Sequence, residues 1–441
     1  MEPKQLVKKM KKHLCLPGLL KSTRKSFELI KDSVKRTAEI SLPDVLMAGL
    51  AMFGLKYPSL LQFDIATRSD EMVKHNLSAL YNIQQAPSDT QMRERLDLIL
   101  PQYLQKTINK TIALIQRAKV LEQYRYFKDY CLVPIDGTGY FSSNNIYCES
   151  CCQKNHKDGT VTYQHQMLTA VIAHPNYKTV FPLILEPTTK QDGVTKNDCE
   201  HNAAKRLLQS LRNYHPHLKM IVLLDALYAD STIIRLLQKL ELPFIITAKE
   251  KDLPYLFDAY NNAKKEEVCY IRDGVIFNYK FCNNLSLNDS NQDIKVNLFQ
   301  VFISNQPKEQ YFCWITDLPL DQNNVEELTK SGRCRWRIEN ETFNTLKNQG
   351  YQFEHNFGHG YKYLSTVLAY LMFQAFLIDQ IQEFCCKYFK AALEKTQSKL
   401  RLWEKIRGLF IHYFVDSWEQ IYTVIIDNLR GLHLSELINT S

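Results

Sequence analysis

The chain has 441 residues, of which 45% are hydrophobic, 11% aromatic and 23% charged; this is too long for one simple core and predicts two or three packed units, excluding disordered, collagen-like and coiled-coil chains. Its 55 basic and 47 acidic side chains leave a net charge of +8, and residues 1–40 alone hold 11 Lys or Arg against 4 Asp or Glu. The surplus is therefore N-terminal, which favours a polyanionic partner, nucleic acid before an anionic membrane surface. No run of about 18 uncharged apolar residues appears; the longest apolar stretch, Leu364 to Leu377, is interrupted by Ser365, Thr366 and Gln374. The short apolar run before Lys21 does not make a secretory signal, so a soluble chain in the cytosol, with no membrane partner, is expected. Twelve cysteines in such a chain read as reduced thiols.

From Pro43 to Phe127 the pattern is helical. SLPDVLMAGLAMFGL is apolar at helical spacing, and PSDTQMRERLDLIL opens on Ser88, Asp89 and Thr90 as N-cap candidates. The character changes at CLVPIDGTGYFSS, a buried strand expected to end at Asp136 where glycines stop it. YQHQMLTAVIAHP and KTVFPLILEP then read as a hairpin turning at His174-Pro175-Asn176 and pairing with that first strand. A helix over DCEHNAAKRLLQSLRNYHPHLK, a buried strand in MIVLLDALYAD, a helix over STIIRLLQKLEL and a strand in PFIITAKEKD complete a β-β-β-α-β-α-β order. Between Leu256 and Leu318 short β-like pieces (VIFNYKF, VNLFQVFI, YFCWIT) form an antiparallel insertion. Helical spacing returns in EELTKSGRCRWRIENETFNTLKNQG and persists from Tyr361 to the end.

Asp136 and Asp225 each end a buried strand, the place where α/β sheets present ligand-binding groups. Two such carboxylates plus a third acid can hold divalent ions for two-metal phosphoryl transfer. The third candidate is Glu339 or Glu341, in RWRIENE. On a regular helical wheel of about 100° per residue, Glu339 falls among Trp336, Phe343 and Leu346, whereas Glu341 lies beside Arg337 on the face open to solvent or DNA. An acid in an apolar stripe needs compensation, which bound cations would supply. The GTG at 137–139 lacks the Lys-Ser/Thr tail of a P-loop, so nucleotide hydrolysis is not supported.

These segments, with EPTTKQDGVTKNDCE and RWRIENETFNTLKNQGYQFEHNFGHG, resemble the DDE transposases of bacterial insertion sequences. The resemblance implies an α/β fold: a ribonuclease H-like mixed-sheet core with an antiparallel β insertion before the catalytic glutamate, plus helical N- and C-terminal regions. It implies Asp136, Asp225 and Glu339 as catalytic metal ligands for two Mg2+ ions, with Mn2+ able to substitute. DNA would be gripped by Arg335 and Lys347, with Arg337 beside Glu341 on the face that should meet solvent or DNA, and a homodimer would pair the transposon ends. A signature of related enzymes places a tyrosine three residues before the arginine and a lysine seven after the glutamate; here Gly332 and Leu346 stand there, and Lys347 follows one residue later. The expected divisions are a basic arm and helical DNA-binding domain at 1–127, the core at 128–255 and 326–378, the insertion at 256–325 and a C-terminal helical region at 379–441.

The expected activity is metal-dependent cleavage at transposon ends and strand transfer into target DNA, in the bacterial cytoplasm on chromosomal or plasmid DNA. The alternatives are a nuclease without strand transfer and a domesticated, non-catalytic DNA-binding protein, against which three intact acids argue. Separately, Cys148, Cys151, His156 and His165 have spacings that a structural zinc site could use; the other reading is reduced thiols packed in a loop. His355 and His359 are explained by a glycine-rich turn.

Overall fold

The computed structural model describes residues 12–32, 39–193 and 196–427. Two compact units emerge, one formed by residues 1–118 together with 346–441, the other by 119–345.

The second unit is built on one ten-stranded sheet. Its strands are β1 (Cys131–Ser143), β2 (Cys152–Asn155), β3 (Val161–His174), β4 (Tyr177–Thr188), β5 (Met220–Leu224), β6 (Phe244–Thr247), β7 (Glu266–Arg272), β8 (Val275–Asn288), β9 (Asn291–Ser304) and β10 (Gln310–Thr316). β1 pairs antiparallel with β3 and parallel with β5, β4 is antiparallel to β3, and β6 is parallel to β5. The core order β4-β3-β1-β5-β6, with three antiparallel strands leading into two parallel ones, is the ribonuclease H-like arrangement. Helices Lys196–Tyr214 and Ser231–Lys239 make the crossovers, because parallel neighbours cannot be joined by a tight turn. Every residue of β5 is buried, as are Cys131 to Ile135 of β1, which explains why both segments read as unbroken apolar runs.

The insertion does not form a separate sheet. β10 pairs antiparallel with β6, and β9, β8 and β7 continue outward from it. β1 also differs from expectation, since it runs through Gly137 and Gly139 instead of stopping at Asp136. Its ladder to β3 continues past the end of β5, with a bulge between Gly139 and Phe141; the antiparallel partner supplies the hydrogen bonds that keep the glycines extended.

In the first unit, Leu364–Cys385 packs against Leu42–Gly54 and Pro101–Arg117. It is long and apolar enough to cross a membrane, but 94% of its most apolar window is buried within the protein, so it is a core helix. Gly49 permits the close approach, because a Cβ there would sit 2.8 Å from Leu371 Cδ1. The first turn of the long helix has no cap of its own. Asp97 Oδ1 accepts the N–H groups of Lys362, Tyr363 and Leu364, each at 2.9 Å, satisfying donors that a helix start leaves unpaired. Ser88 caps Asp89–Leu96 reciprocally with Gln91, in the capping box its sequence foreshadows.

The basic N-terminal stretch differs from a free arm where it is described. Residues Leu16–Phe27 form a helix that buries Leu16, Leu19, Leu20 and Phe27, an i, i+3, i+4 pattern facing the core. Arg24 on this helix pairs with Asp44 at 2.8 Å. Of the other cations of the arm, those at residues 12, 21, 25 and 31 are described, whereas those at 4–11 and 35–36 lie outside the described residues.

Candidate active site

The parallel pairing of β1 with β5 spans Cys131 to Pro134, facing Met220 to Leu223. Asp136 and Asp225 lie just beyond it, at the C-terminal end of the pair. Each carboxylate is oriented by the backbone: Asp136 Oδ1 accepts from Gly137 N–H at 2.8 Å, and Asp225 Oδ1 from Leu227 N–H at 2.9 Å. Burial pushes the Asp136 carboxyl up to about 6; Arg335 and the Gly137 N–H oppose the shift, while Glu339 and Asp225 add to it. Both Glu339 and Asp225 thus act on Asp136 electrostatically.

Glu339 reaches this place by a route the helical wheel does not describe. The helix Val325–Arg333 ends, Cys334 and Arg335 form a turn, and Ile338–Phe343 winds as a π-helix, so the wheel's constant step is lost. Ile338, Phe343 and Leu346 are buried as the wheel requires, but Trp336 is 57% exposed. Glu339 is not in an apolar stripe either, its side chain being 46% exposed. What brings it to the site is Arg335, whose guanidinium donates to Asp136 Oδ2 at 3.0 Å and pairs with Glu339 Oε1 at 2.8 Å. The i, i+4 pair is therefore present and extends to a third group on β1. Glu341 is occupied elsewhere by Arg337 at 2.9 Å. Gly332 is pressed against the Trp314 indole, where a Cβ would lie 2.7 Å from Cε2, so the tyrosine of the related signature has no room here.

Sequence reasoning missed a fourth carboxylate, Glu200. It accepts a hydrogen bond from Tyr228 Oη at 2.9 Å, and a Cβ on Gly137 would lie 3.6 Å from its Cδ. Tyr228 is buried, which raises its phenol well above the usual range, with Glu200, Asp225 and Asp136 adding to the shift. The signal was present in the helix periodicity: Glu200 shares a stripe with Ala203, Ala204, Leu207, Leu208 and Leu211, all buried, and an acid there needs a polar destination.

No protein-family model matches the chain, and no curated protein matches it. Among solved structures, the chain is similar to a piggyBac transposase determined by cryo-electron microscopy as a synaptic complex with hairpin DNA, at a TM-score of 0.41 and 10% sequence identity, over 97% of this chain and 86% of that one.

The three basic residues expected to grip DNA each have a carboxylate partner. Besides Arg335, Arg337 binds Glu341 and donates to the Pro175 carbonyl at 2.7 Å, and Lys347 pairs with Glu354 at 2.7 Å. Of the Cys/His set, the fold brings together Cys148, Cys151 and His165: the two sulfurs are 3.8 Å apart, and His165 Nε2 lies 3.5 and 3.3 Å from them. His156 is not with them. It sits where β2 turns back into β3 and bonds Thr162 Oγ1 at 2.8 Å, because the hairpin carries it away from the cysteines. His355 packs edge-on to Phe357, and His359 Nδ1 lies 2.9 Å from the Gly360 carbonyl.

Proposed function

We propose that this chain is a DNA transposase that cleaves at the ends of its element and joins the freed 3′-hydroxyl to target DNA. The observation that carries the reading is the link from Asp136 through Arg335 to Glu339, with Asp225 just past the neighbouring parallel strand and its charge acting on Asp136. Hard oxygen donors in excess of the local positive charge fit divalent cations. Asp136, Asp225 and Glu339 would hold two Mg2+ ions, or Mn2+ in their place, which would supply Lewis acidity and ease the ionisation of a water to the hydroxide that attacks phosphorus.

The chain's own residues set the geometry. The Gly137 and Leu227 N–H groups fix the two aspartates, and Arg335 keeps Glu339 turned toward Asp136. Water is the first nucleophile and the strand end the second, both by in-line displacement, so one site serves both steps. DNA ends and target DNA are the partners, a homodimer would pair two ends, and the setting is the bacterial cytoplasm with its chromosomal and plasmid DNA.

The test uses DNA carrying the inverted repeats that flank the coding region. Asp136→Ala, Asp225→Ala and Glu339→Gln are each expected to lower Mg2+-dependent cleavage by at least about a thousandfold while end binding persists, whereas Glu341→Gln retains most activity. Undiminished cleavage in any of the three would remove that residue from the site. Cleavage without joining of a 3′-hydroxyl end would reduce the protein to a nuclease.

A further inference from the structure

We infer that Cys148, Cys151 and His165 form a structural zinc site that fastens the β1–β2 loop to β3, independently of the acid cluster and its chemistry. The argument is metric. Zinc bonds of about 2.3 Å to sulfur and about 2.0–2.1 Å to imidazole nitrogen give a tetrahedron whose S–S edge is about 3.8 Å and whose S–N edges are about 3.6 Å. The three edges found are 3.8, 3.5 and 3.3 Å. One face of a zinc tetrahedron is thus already laid out, with Nε2 facing both sulfurs. A disulfide is excluded as the origin of this spacing, since its sulfurs lie about 2.05 Å apart.

Local structure explains why these residues converge. Cys148 and Cys151 flank a turn closed by Cys151 N–H to the Cys148 carbonyl at 3.2 Å, and the Cys148 N–H points at Cys151 Sγ at 3.4 Å. His165 is opposite Phe141 on the β1–β3 ladder and stacks on Tyr140 at 5.7 Å, so its ring plane is set by the strand that carries Asp136. Cys151 and His165 are buried and Cys148 is half-buried, so the three donor atoms are shielded from bulk water. The loop is also held by the Tyr147–Tyr163 stack at 4.6 Å and by Thr162 Oγ1 donating to Asn144 Oδ1 at 2.9 Å, so loss of metal loosens it without unfolding the sheet.

The experiment is metal analysis of the full chain purified without added metal, followed by Co2+ substitution. The expected result is about one zinc per chain, and for the Co2+ form the intense visible bands of a tetrahedral site with thiolate-to-metal charge transfer. Cys148→Ser and Cys151→Ser should lose the metal and lower the melting temperature, whereas His165→Cys should retain it. The last variant shows that a ligand, not a particular shape, is required. A chain without zinc that takes up no stoichiometric Co2+ would overturn the inference, as would a Cys148–Cys151 disulfide found by mass spectrometry in protein handled without oxidant.

Discussion

Both units bury charge, and they treat it in opposite ways. In the helical unit, Lys56 is 2% exposed and fully matched: Nζ bonds Asp379 at 2.7 Å and the Gly54 carbonyl at 3.1 Å, and rests on the faces of Tyr351 and Trp403. Asp379 in turn accepts from Tyr351 Oη at 2.6 Å. In the sheet unit one guanidinium serves Asp136 and Glu339, with Asp225 and Glu200 close by. The first cluster is neutral and complete, as buried ion pairs must be to persist. The second carries excess negative charge at the end of a rigid pair of strands, which costs stability and is the arrangement a cation-binding site requires.

The largest expected effect comes from breaking the complete cluster. Lys56→Met should destabilise the chain by about 3–5 kcal/mol, because Asp379 is left buried without its cation, and the double variant Lys56→Met/Asp379→Leu should recover most of the loss. Denaturant titration of the three proteins measures this; a single variant as stable as the parent would mean the pair is not desolvated.

A buried group that stays neutral gives an intermediate effect. Burial lowers His215 to about 4, and its Nε2 has no hydrogen-bond partner. The unfolded imidazole titrates near 6.5, so between those values the unfolded chain binds the extra proton. Stability is fully present above about pH 6.5 and is lost as pH falls toward 4, by up to about 3 kcal/mol from this group. His215→Gln should flatten this part of the pH profile measured by chemical denaturation at pH 7 and pH 4.5.

The smallest effect, and the one that separates the two kinds of cluster, is at the acids. Asp136→Asn in metal-free protein should raise stability by about 1 kcal/mol, since a like charge is removed from a partly buried group of acids. With Mg2+ present the parent should gain stability that the variant does not. A loss of stability on substitution in the metal-free chain would place Asp136 with Asp379, as a structural charge.

Much of the core was legible because its signals are local. Alternation and apolar runs located β3 to β6, and the two aspartates were found from the ends of unbroken apolar strands. Ser88 announced its cap through Gln91 three residues on. Legibility failed where a distant partner overrides local preference. β1 passes through its glycines because β3 pairs with it there. The glutamate segment abandons α-helical winding, which exposes Trp336 and defeats an argument built on a constant helical step. The basic N-terminal stretch looked like an arm because its charge drew attention from the Leu16, Leu19, Leu20 and Phe27 stripe.

The sequence by itself determined most of the strands and helices, the two apolar runs that lead into Asp136 and Asp225, and that a Cys-x-x-Cys lies near two histidines, because propensity and periodicity act over a few residues. The tertiary structure alone decided that Arg335 meets Asp136 across 199 positions and that Lys56 meets Asp379 across 323. It also decided that Glu200 joins the acids and that His165, not His156, faces the cysteines. Such pairings form only when packing brings remote segments within a few ångströms, and no local pattern encodes which of several equally plausible side chains will be there.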